Sequence, residues 1–383
     1  MTAGPGGSPT SPPAGFEPPV YPYERLESAQ AKASALPGGM VDLSVGTPSD
    51  PPPAVVLEAL AGADEHGGVR GYPSSVGSLP LRRAAAGWMA SRLGVEVPLD
   101  ALAVCVGTKE FVGTLPQWLK LRTPARDTVL YPEIAYPTYE MGAVLAGCRA
   151  VPVAVDESFR LRLDSVAEAD AERALVLWIN TPGNPAGQLD DLAAAAAWGR
   201  ERGVPVFSDE CYAEFTWDGP PRTILSSGLD GLVAVHSLSK RSNLAGLRLG
   251  WYAGDPALVH YLSEVRKHVG MMVPGPVQLA GIAALGDQSH VEVQRDRYWR
   301  RLGRMRELLA GLGVEAAMPG GGFYLWAPAP DGDAWGLVER LAVEGGALVS
   351  PGDFYGLAGA RHVRVAMVQP QDRLDLVAAR LGL

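Results

Sequence analysis

Apolar residues in this chain gather in short unbroken runs at 102–106, 128–131, 174–179, 204–207 and 232–235. Runs of that length, closed by polar punctuation, predict strands buried on both faces. Between them apolar positions recur at helical spacing. Leu81, Ala85, Trp88, Met89 and Leu93 share one face, with Gly94 as the stop. A second helix is predicted over 190–202, with Asp190 or Asp191 as its cap. Such alternation predicts a largely parallel sheet covered by helices on both faces. After about Gly281 the pattern changes. A long charged helix over 291–312 leads to a turn at Pro319-Gly320-Gly321-Gly322. Strands at 323–327 and 362–367 then flank a helix at 334–344. This order predicts a second, smaller α+β domain.

The chain therefore divides into a large domain over 50–280 and a small one over 281–383. Residues 23–49, with a short helix at 23–35 and an extended piece at 41–45, are expected to join the small domain. Residues 1–22 hold seven prolines and four glycines, which predicts a mobile tail without regular structure.

Composition narrows the function. The 383 residues are 47% hydrophobic, enough for a large core. With 33 Lys+Arg against 42 Asp+Glu the net charge is −9, which argues against nucleic acid as the main partner. Cys105, Cys148 and Cys211 form no CxxC pair, which points to a reducing, cytoplasmic setting. The six histidines show no metal-ligand spacing, so no metal is expected. No run suits a membrane helix or an export signal.

The chemistry lies where the runs end. In an open parallel sheet, ligands bind beyond the carboxyl ends of the strands. Here those ends carry Gly107-Thr108-Lys109, Asn180-Thr181-Pro182-Gly183-Asn184-Pro185, Ser208-Asp209-Glu210-Cys211-Tyr212 and His236-Ser237-Leu238-Ser239-Lys240, followed by Gly246-Leu247-Arg248-Leu249-Gly250. Gly107-Thr108 at a strand-to-helix turn offers backbone N–H groups to a phosphate. Ser237, Ser239 and Arg248 add hydroxyls and a fork-shaped cation. Lys240 is a candidate amine nucleophile. Asp209 suits a protonated ring nitrogen, and Tyr212 suits a phenolate. Together they suit a cofactor with a phosphate, an aldehyde and a pyridine nitrogen.

Ser237-x-Ser239-Lys240, with Arg248 eight residues on and then Gly250, resembles the cofactor-lysine signature of class I/II aminotransferases. Asn184-Pro185, Asp209-x-x-Tyr212, Tyr131-Pro132 with Tyr136-Pro137, and Gly321-Gly322-Phe323-Tyr324 match that family in order, over about 40–380. The resemblance implies the fold-type I architecture of α/β class, a mostly parallel seven-stranded sheet with a smaller α+β domain, and pyridoxal 5′-phosphate as cofactor. It implies that Lys240 carries the cofactor as a Schiff base and that Asp209 pairs with the ring N–H. Tyr212 and Asn184 would contact the phenolate, and Tyr136 would stack on the ring. Gly107, Thr108, Ser237, Ser239 and Arg248 would hold the phosphate, with Lys109 beside them in an open role. Arg364 would clamp the substrate α-carboxylate, with Asn184 and the Gly46 backbone nearby. Tyr72 would reach the phosphate of a partner subunit, which implies a homodimer.

A finer resemblance, in Leu43-Ser44-Val45-Gly46-Thr47-Pro48-Ser49-Asp50-Pro51 and Val106-Gly107-Thr108-Lys109-Glu110, is to N-succinyldiaminopimelate aminotransferases of lysine biosynthesis. It implies N-succinyl-L,L-2,6-diaminopimelate as amino donor and 2-oxoglutarate as acceptor. Candidate readers of a distal carboxylate are Arg25, Arg70, Lys109, Arg222 and Lys267. Alternatives are another amino-acid aminotransferase or a carbon–sulfur lyase of the same fold. A non-enzymatic sensor would need a DNA-binding module, and no helix-turn-helix precedes residue 40. Each residue alone has a bland reading. An SxSK is usually a solvated turn, an Asp after an apolar run a helix cap, and an Arg on a late strand a surface residue. Their joint order at successive strand ends favours the catalytic one.

Overall fold

The computed structural model describes residues 15–65 and 68–383. Across its main sheet the strands are Leu102–Cys105, Gly250–Gly254, Leu232–Ser237, Val206–Asp209, Ala174–Asn180, Thr128–Pro132 and Arg149–Val153. Gly250–Gly254 alone runs against the rest. Successive side chains leave a strand on opposite faces. Accordingly Leu177, Ile179, Val206 and Leu232 enter one apolar layer, and Val176, Trp178, Phe207 and Val233 enter the other. Both layers are dry, which is why these strands are continuous apolar runs. Helices Leu79–Trp88, Leu192–Arg202 and Gly275–Gly286 cover the first face. Helices Thr108–Arg122, Thr138–Leu145 and Pro256–His268 cover the second.

Beyond the 23-residue helix Ser289–Gly311, an antiparallel sheet orders Ser350–Pro351, His362–Ala366 and Tyr324–Pro328. Its core joins Leu302, Met305, Phe323, Val365 and Leu374 to Leu26, Ala33, Val41 and Leu43 from the start of the chain. Val41–Asp42 pairs in parallel with Ala347–Leu348. Arg301 grips Asp50 with two hydrogen bonds, of 2.6 and 2.8 Å, tying the segment after Gly46 to the long helix.

Two strands of the main sheet escape the sequence pattern, as do the two-residue strands Ala347–Leu348 and Ser350–Pro351. Arg149–Val153 lies at the sheet edge and is half exposed, so its apolar run is broken. Gly250–Gly254 has only Trp251-Tyr252-Ala253 between glycines, too short an apolar run to stand out. Of the two candidate caps, Asp191 accepts from the Ala194 N–H at 2.9 Å. Asp190 is buried and accepts from the Leu161 N–H at 2.7 Å. The helix expected over 334–344 ends at Arg340 and continues as one wider π turn, Leu341–Gly345. Residues 15–21 carry no regular element, and residues 1–14 of the expected tail lie outside the described residues.

Candidate active site

The carboxyl ends of the Ala174–Asn180, Val206–Asp209 and Leu232–Ser237 strands point the same way and end on Asn180, Asp209 and Ser237. These three residues line one cavity of about 530 Å³. Of the residues singled out from sequence, Gly46, Thr108, Lys109, Tyr136, Asn184, Asp209, Tyr212, Ser239, Lys240, Arg248 and Arg364 line it too. Gly107 and Tyr72 do not: Gly107 lies behind the Arg248 guanidinium, and Tyr72 is 98% exposed. Arg70, Arg222 and Lys267 line neither this cavity nor its larger neighbour, described below.

One end of the cavity is built for an anion. Gly107 has φ +76° and opens the helix Thr108–Arg122, whose first N–H groups have no partner within the helix. A Cβ on Gly107 would come within 2.2 Å of Arg248 Nη2, so the guanidinium lies directly against this turn. Arg248 itself holds φ +58° and donates from Nη1 to the Ala245 carbonyl at 2.8 Å. Ser237 Oγ accepts from the Ser239 N–H at 3.1 Å, which shapes the opposite wall. The Cys211 thiol donates to Thr108 Oγ1 at 3.5 Å.

Asp209 sits on the floor and is 8% exposed. Its Oδ2 accepts from the Tyr139 hydroxyl at 2.9 Å and its Oδ1 from the Cys211 N–H at 3.2 Å. Burial raises its pKa, and the hydrogen bonds from Cys211 and Tyr139 pull the other way. Such a carboxyl is best served by a cation placed against it. Asn180 fixes the neighbouring turn. Its Nδ2 donates to the Asp209 carbonyl at 2.9 Å, and its Oδ1 accepts from the Asn184 N–H at 2.8 Å.

Lys240 rises from the short helix Leu238–Arg241, and its Nζ donates to the Gly46 carbonyl. Burial, then the charges of Arg364 and Arg248, push its pKa down to about 8, against the opposing pull of Cys211 and Asp209. A desolvated lysine between two arginines is an amine primed to lose its proton. Gly46 has no room for a side chain, because a Cβ would meet the Tyr324 hydroxyl at 2.0 Å.

Opposite Lys240, Arg364 is 2% exposed. Its Nη1 donates to Asn184 Oδ1 at 2.8 Å, and its Nη2 to Tyr23 Oη at 3.2 Å and to the Ser44 carbonyl. The guanidinium carbon stands 4.3 Å from the Tyr324 ring centre and 4.8 Å from that of Tyr355. Burial opposes its charge, but the tyrosines around it prevail and its pKa is raised. The fork is therefore charged and aimed by a cage of phenols.

Tyr139, Tyr21, Tyr23 and Tyr355 give no clear signal in the sequence, and the pairing of the residues that do is not legible there. Tyr139 lies one helical turn after Tyr136, the only hint that both face the cofactor end. Tyr324 and Tyr212 share a 2.9 Å hydrogen bond between residues 112 positions apart. Tyr23 and Tyr355, 3.1 Å apart, come from opposite ends of the chain. Lys109 is held at the mouth by Tyr21, at 3.2 Å. Among the described residues no cluster suits a metal ion and no helix is long and apolar enough to cross a membrane.

An anion cup, a buried carboxylate, a primed lysine and a caged arginine converge at the carboxyl edge of a doubly covered sheet. The family model for aminotransferase class I and II matches residues 38–381, and this chain belongs to that family of pyridoxal-phosphate-dependent enzymes. It is 44% identical to the 4-dedimethylamino-4-oxo-anhydrotetracycline transaminase of Streptomyces rimosus, over 95% of this chain and 99% of that one. It is 34% identical to the LL-diaminopimelate aminotransferase of Aquifex aeolicus, over 95% and 96%. The solved structure of a probable N-succinyldiaminopimelate aminotransferase from Thermus thermophilus superposes with a TM-score of 0.85 at 30% identity, covering 94% of this chain and 98% of that one. The chain is thus a fold-type I aminotransferase. Its residues fit pyridoxal 5′-phosphate, with a cup for the phosphate, a buried carboxyl for the ring nitrogen and an amine for the aldehyde.

Proposed function

We propose that this enzyme moves the amino group of N-succinyl-L,L-2,6-diaminopimelate to 2-oxoglutarate. The observation that carries this reading is the room beyond Lys240. Past Lys109 and Tyr136 the 530 Å³ cavity adjoins a second one of about 1140 Å³, which shares Tyr21, Lys109, Tyr136 and Arg248 as lining. Single ligand sites run from about 300 to 1,000 Å³. The combined space suits a long donor, and Lys109 at the junction suits a carboxylate far from the reacting carbon. The similarity to two diaminopimelate-type aminotransferases supports the same substrate class.

In this reading pyridoxal phosphate supplies the aldehyde that takes up the amine and the ring that spreads the electrons released at the substrate Cα. Lys240 Nζ would hold the resting cofactor through its aldehyde and, once the incoming substrate amine displaces it, would be free as the base that moves the substrate Cα proton. Asp209 keeps the ring nitrogen protonated, and Tyr139 holds Asp209 in place. Gly107, Thr108, Ser237, Ser239 and Arg248 grip the phosphate. Tyr212 and Asn184 hold the phenolate side, and Tyr136 covers the ring face. Arg364 takes the α-carboxylate of donor and acceptor in turn by a two-pronged pair, beside the Gly46 backbone. Tyr72, exposed in the single chain, reaches the phosphate site of a second copy, so the working form is a homodimer. The boundaries near residues 50 and 281 separate the cofactor-bearing part from the part that carries Arg364.

One observation favours a second reading. Pro18, Pro19, Val20, Met141, Val144 and Leu145 make much of the larger cavity apolar, and the relative from Streptomyces rimosus is named for a tetracyclic ketone. A panel of donors with 2-oxoglutarate, followed by glutamate formation, separates the two. N-succinyl-L,L-2,6-diaminopimelate should lead in kcat/KM. A bulky ring amine in first place would overturn the diaminopimelate reading.

A further inference from the structure

Behind the cavity lies a carboxyl that the proposed chemistry does not use. Glu210 follows Asp209 at the end of one strand, and His236 precedes Ser237 at the end of the next. The two strands run side by side, and the Glu210 N–H donates to the Val235 carbonyl at 2.9 Å. Neither side chain lines the site cavity, and each residue is 1% exposed. Glu210 Oε2 and His236 Nε2 face each other at 3.4 Å. A charged N–H on a carboxylate closes to about 2.7–2.9 Å, so opposite charges do not draw this pair together. The cations nearby are spent on Glu214. Arg241 meets it at 3.4 Å and also the Ala284 carbonyl at 2.8 Å, and Arg92 meets it at 3.1 Å. The other walls are the Cys211 thiol and the indoles of Trp88 and Trp251, with ring centres 5.0 and 5.3 Å from that of His236. Burial pushes the Glu210 pKa up to about 8, and the charge of Asp209 adds to the rise. The Ile224 N–H, at 2.8 Å from Oε1, and the Ser208 and Thr223 hydroxyls oppose it without prevailing. Burial likewise pushes His236 down to about 3.

Resting on the placement of pyridoxal phosphate in this site, and not on the choice of amino donor, we infer that Glu210 and His236 form a neutral pair, carboxylic acid against imidazole, that keeps a second negative charge away from an anionic cofactor. A bound phosphate carries about −1.5 to −2 charges. Asp209 adds one more, where a ring N–H can balance it. A charged Glu210 would sit one residue further on with no cation to offset it. It would repel the phosphate through an interior that screens poorly. The proton therefore stays on Oε2, toward His236 Nε2. The pair also ties the residue after Asp209 to the residue before Ser237, which are the two ends of the cofactor's seat. Glu210 is thus a positioning residue, and loss of its proton sets an upper pH limit on cofactor retention.

Two readouts test this on the full-length chain. Infrared spectra of the holoenzyme in heavy water should show a protonated glutamate carboxyl at pH 7 that fades above about pH 8 and is missing from Glu210→Gln. Isotope labelling of the glutamate carboxyls identifies the band in the wild-type chain itself, so this reading does not depend on the variant folding. The second readout is the dissociation constant for pyridoxal 5′-phosphate, titrated into the apo chain. Glu210→Gln keeps the shape and neutrality of the acid but has no proton to lose. The ratio of wild-type to variant constants should therefore climb above about pH 8, by up to about tenfold per pH unit. The ratio cancels the titration of Lys240 and of the phosphate, which both chains share. A wild-type spectrum without a protonated glutamate at pH 7, or a ratio that stays flat from pH 7 to 9, overturns the inference and leaves Lys240 and Asp209 in their roles. A chain that forms no adduct with pyridoxal phosphate at Lys240 overturns the reading of the site, and the inference with it.

Discussion

The guanidinium of Arg248 occupies the space that a side chain on Gly107 would need, with Nη2 2.2 Å from the position of its Cβ. The glycine therefore does two things. It supplies the positive φ of the turn, and it lets a cation lie against the first N–H groups of a helix. Gly107→Ala should push Arg248 aside and strain the turn. Losing one charge-assisted contact costs about 1.5–3 kcal/mol, so cofactor affinity should fall about 10- to 150-fold. Titrating the apo chain with pyridoxal phosphate measures this. Unchanged affinity would place the phosphate elsewhere.

Tyr139 donates to Asp209 from the helix behind the cofactor end. That hydrogen bond favours the ionised carboxylate. Tyr139→Phe should raise the Asp209 pKa further and weaken its hold on a ring proton, lowering kcat by about tenfold. Asp209→Asn removes the anion altogether, and kcat should fall by about 10²–10³. Steady-state rates over a pH series check both. If Asp209→Asn turned over normally, Asp209 would be a structural residue only.

The depressed pKa of Lys240 predicts a pH dependence with a definite sign. Only the neutral amine attacks an aldehyde. With a pKa of about 8, cofactor uptake by the apo chain should quicken about tenfold per pH unit up to pH 8 and level off above it. An ordinary lysine would level off only near pH 10.4. The Arg364 charge helps lower the Lys240 pKa, so Arg364→Met should move the midpoint upward. Stopped-flow absorbance measures the rate. A midpoint unmoved by that variant would show that burial and Arg248 set it without Arg364.

Arg364→Lys keeps the charge and loses the fork. We expect kcat/KM to drop by about 30- to 1,000-fold, or about 2–4 kcal/mol, with cofactor binding intact. The loss should be the same for the amino donor and for 2-oxoglutarate, because both present an α-carboxylate. A loss confined to one would mean that Arg364 reads a side chain.

Much of this was legible in the sequence, for identifiable reasons. The strand Ala174–Asn180 is dry on both faces and shows as an unbroken run. Arg149–Val153, wet along one edge, does not. Lys240, Asp209 and Arg248 lie within 40 positions of one another in a recurring order, so short motifs expose them. The cage around Arg364 draws Tyr23 from 341 positions away. Contacts of that range follow from how the first 50 residues pack on the last 100, which no local pattern encodes. Tyr139 gives no such signal, because a tyrosine on an apolar helix face is usually core. Lys109 stands out in its motif, but its setting between Tyr21 and Tyr136 depends on where the irregular N-terminal stretch lies.

The attachment of the cofactor to Lys240 underlies every step proposed here, and it can be measured directly. Holoenzyme reduced with borohydride, digested and mapped by mass spectrometry should carry one pyridoxyl group per chain, on Lys240. The Lys240→Ala variant, still holding cofactor weakly through the phosphate cup, should carry none. A pyridoxyl group on Lys109, Lys267 or any other lysine of the wild-type chain would contradict the account.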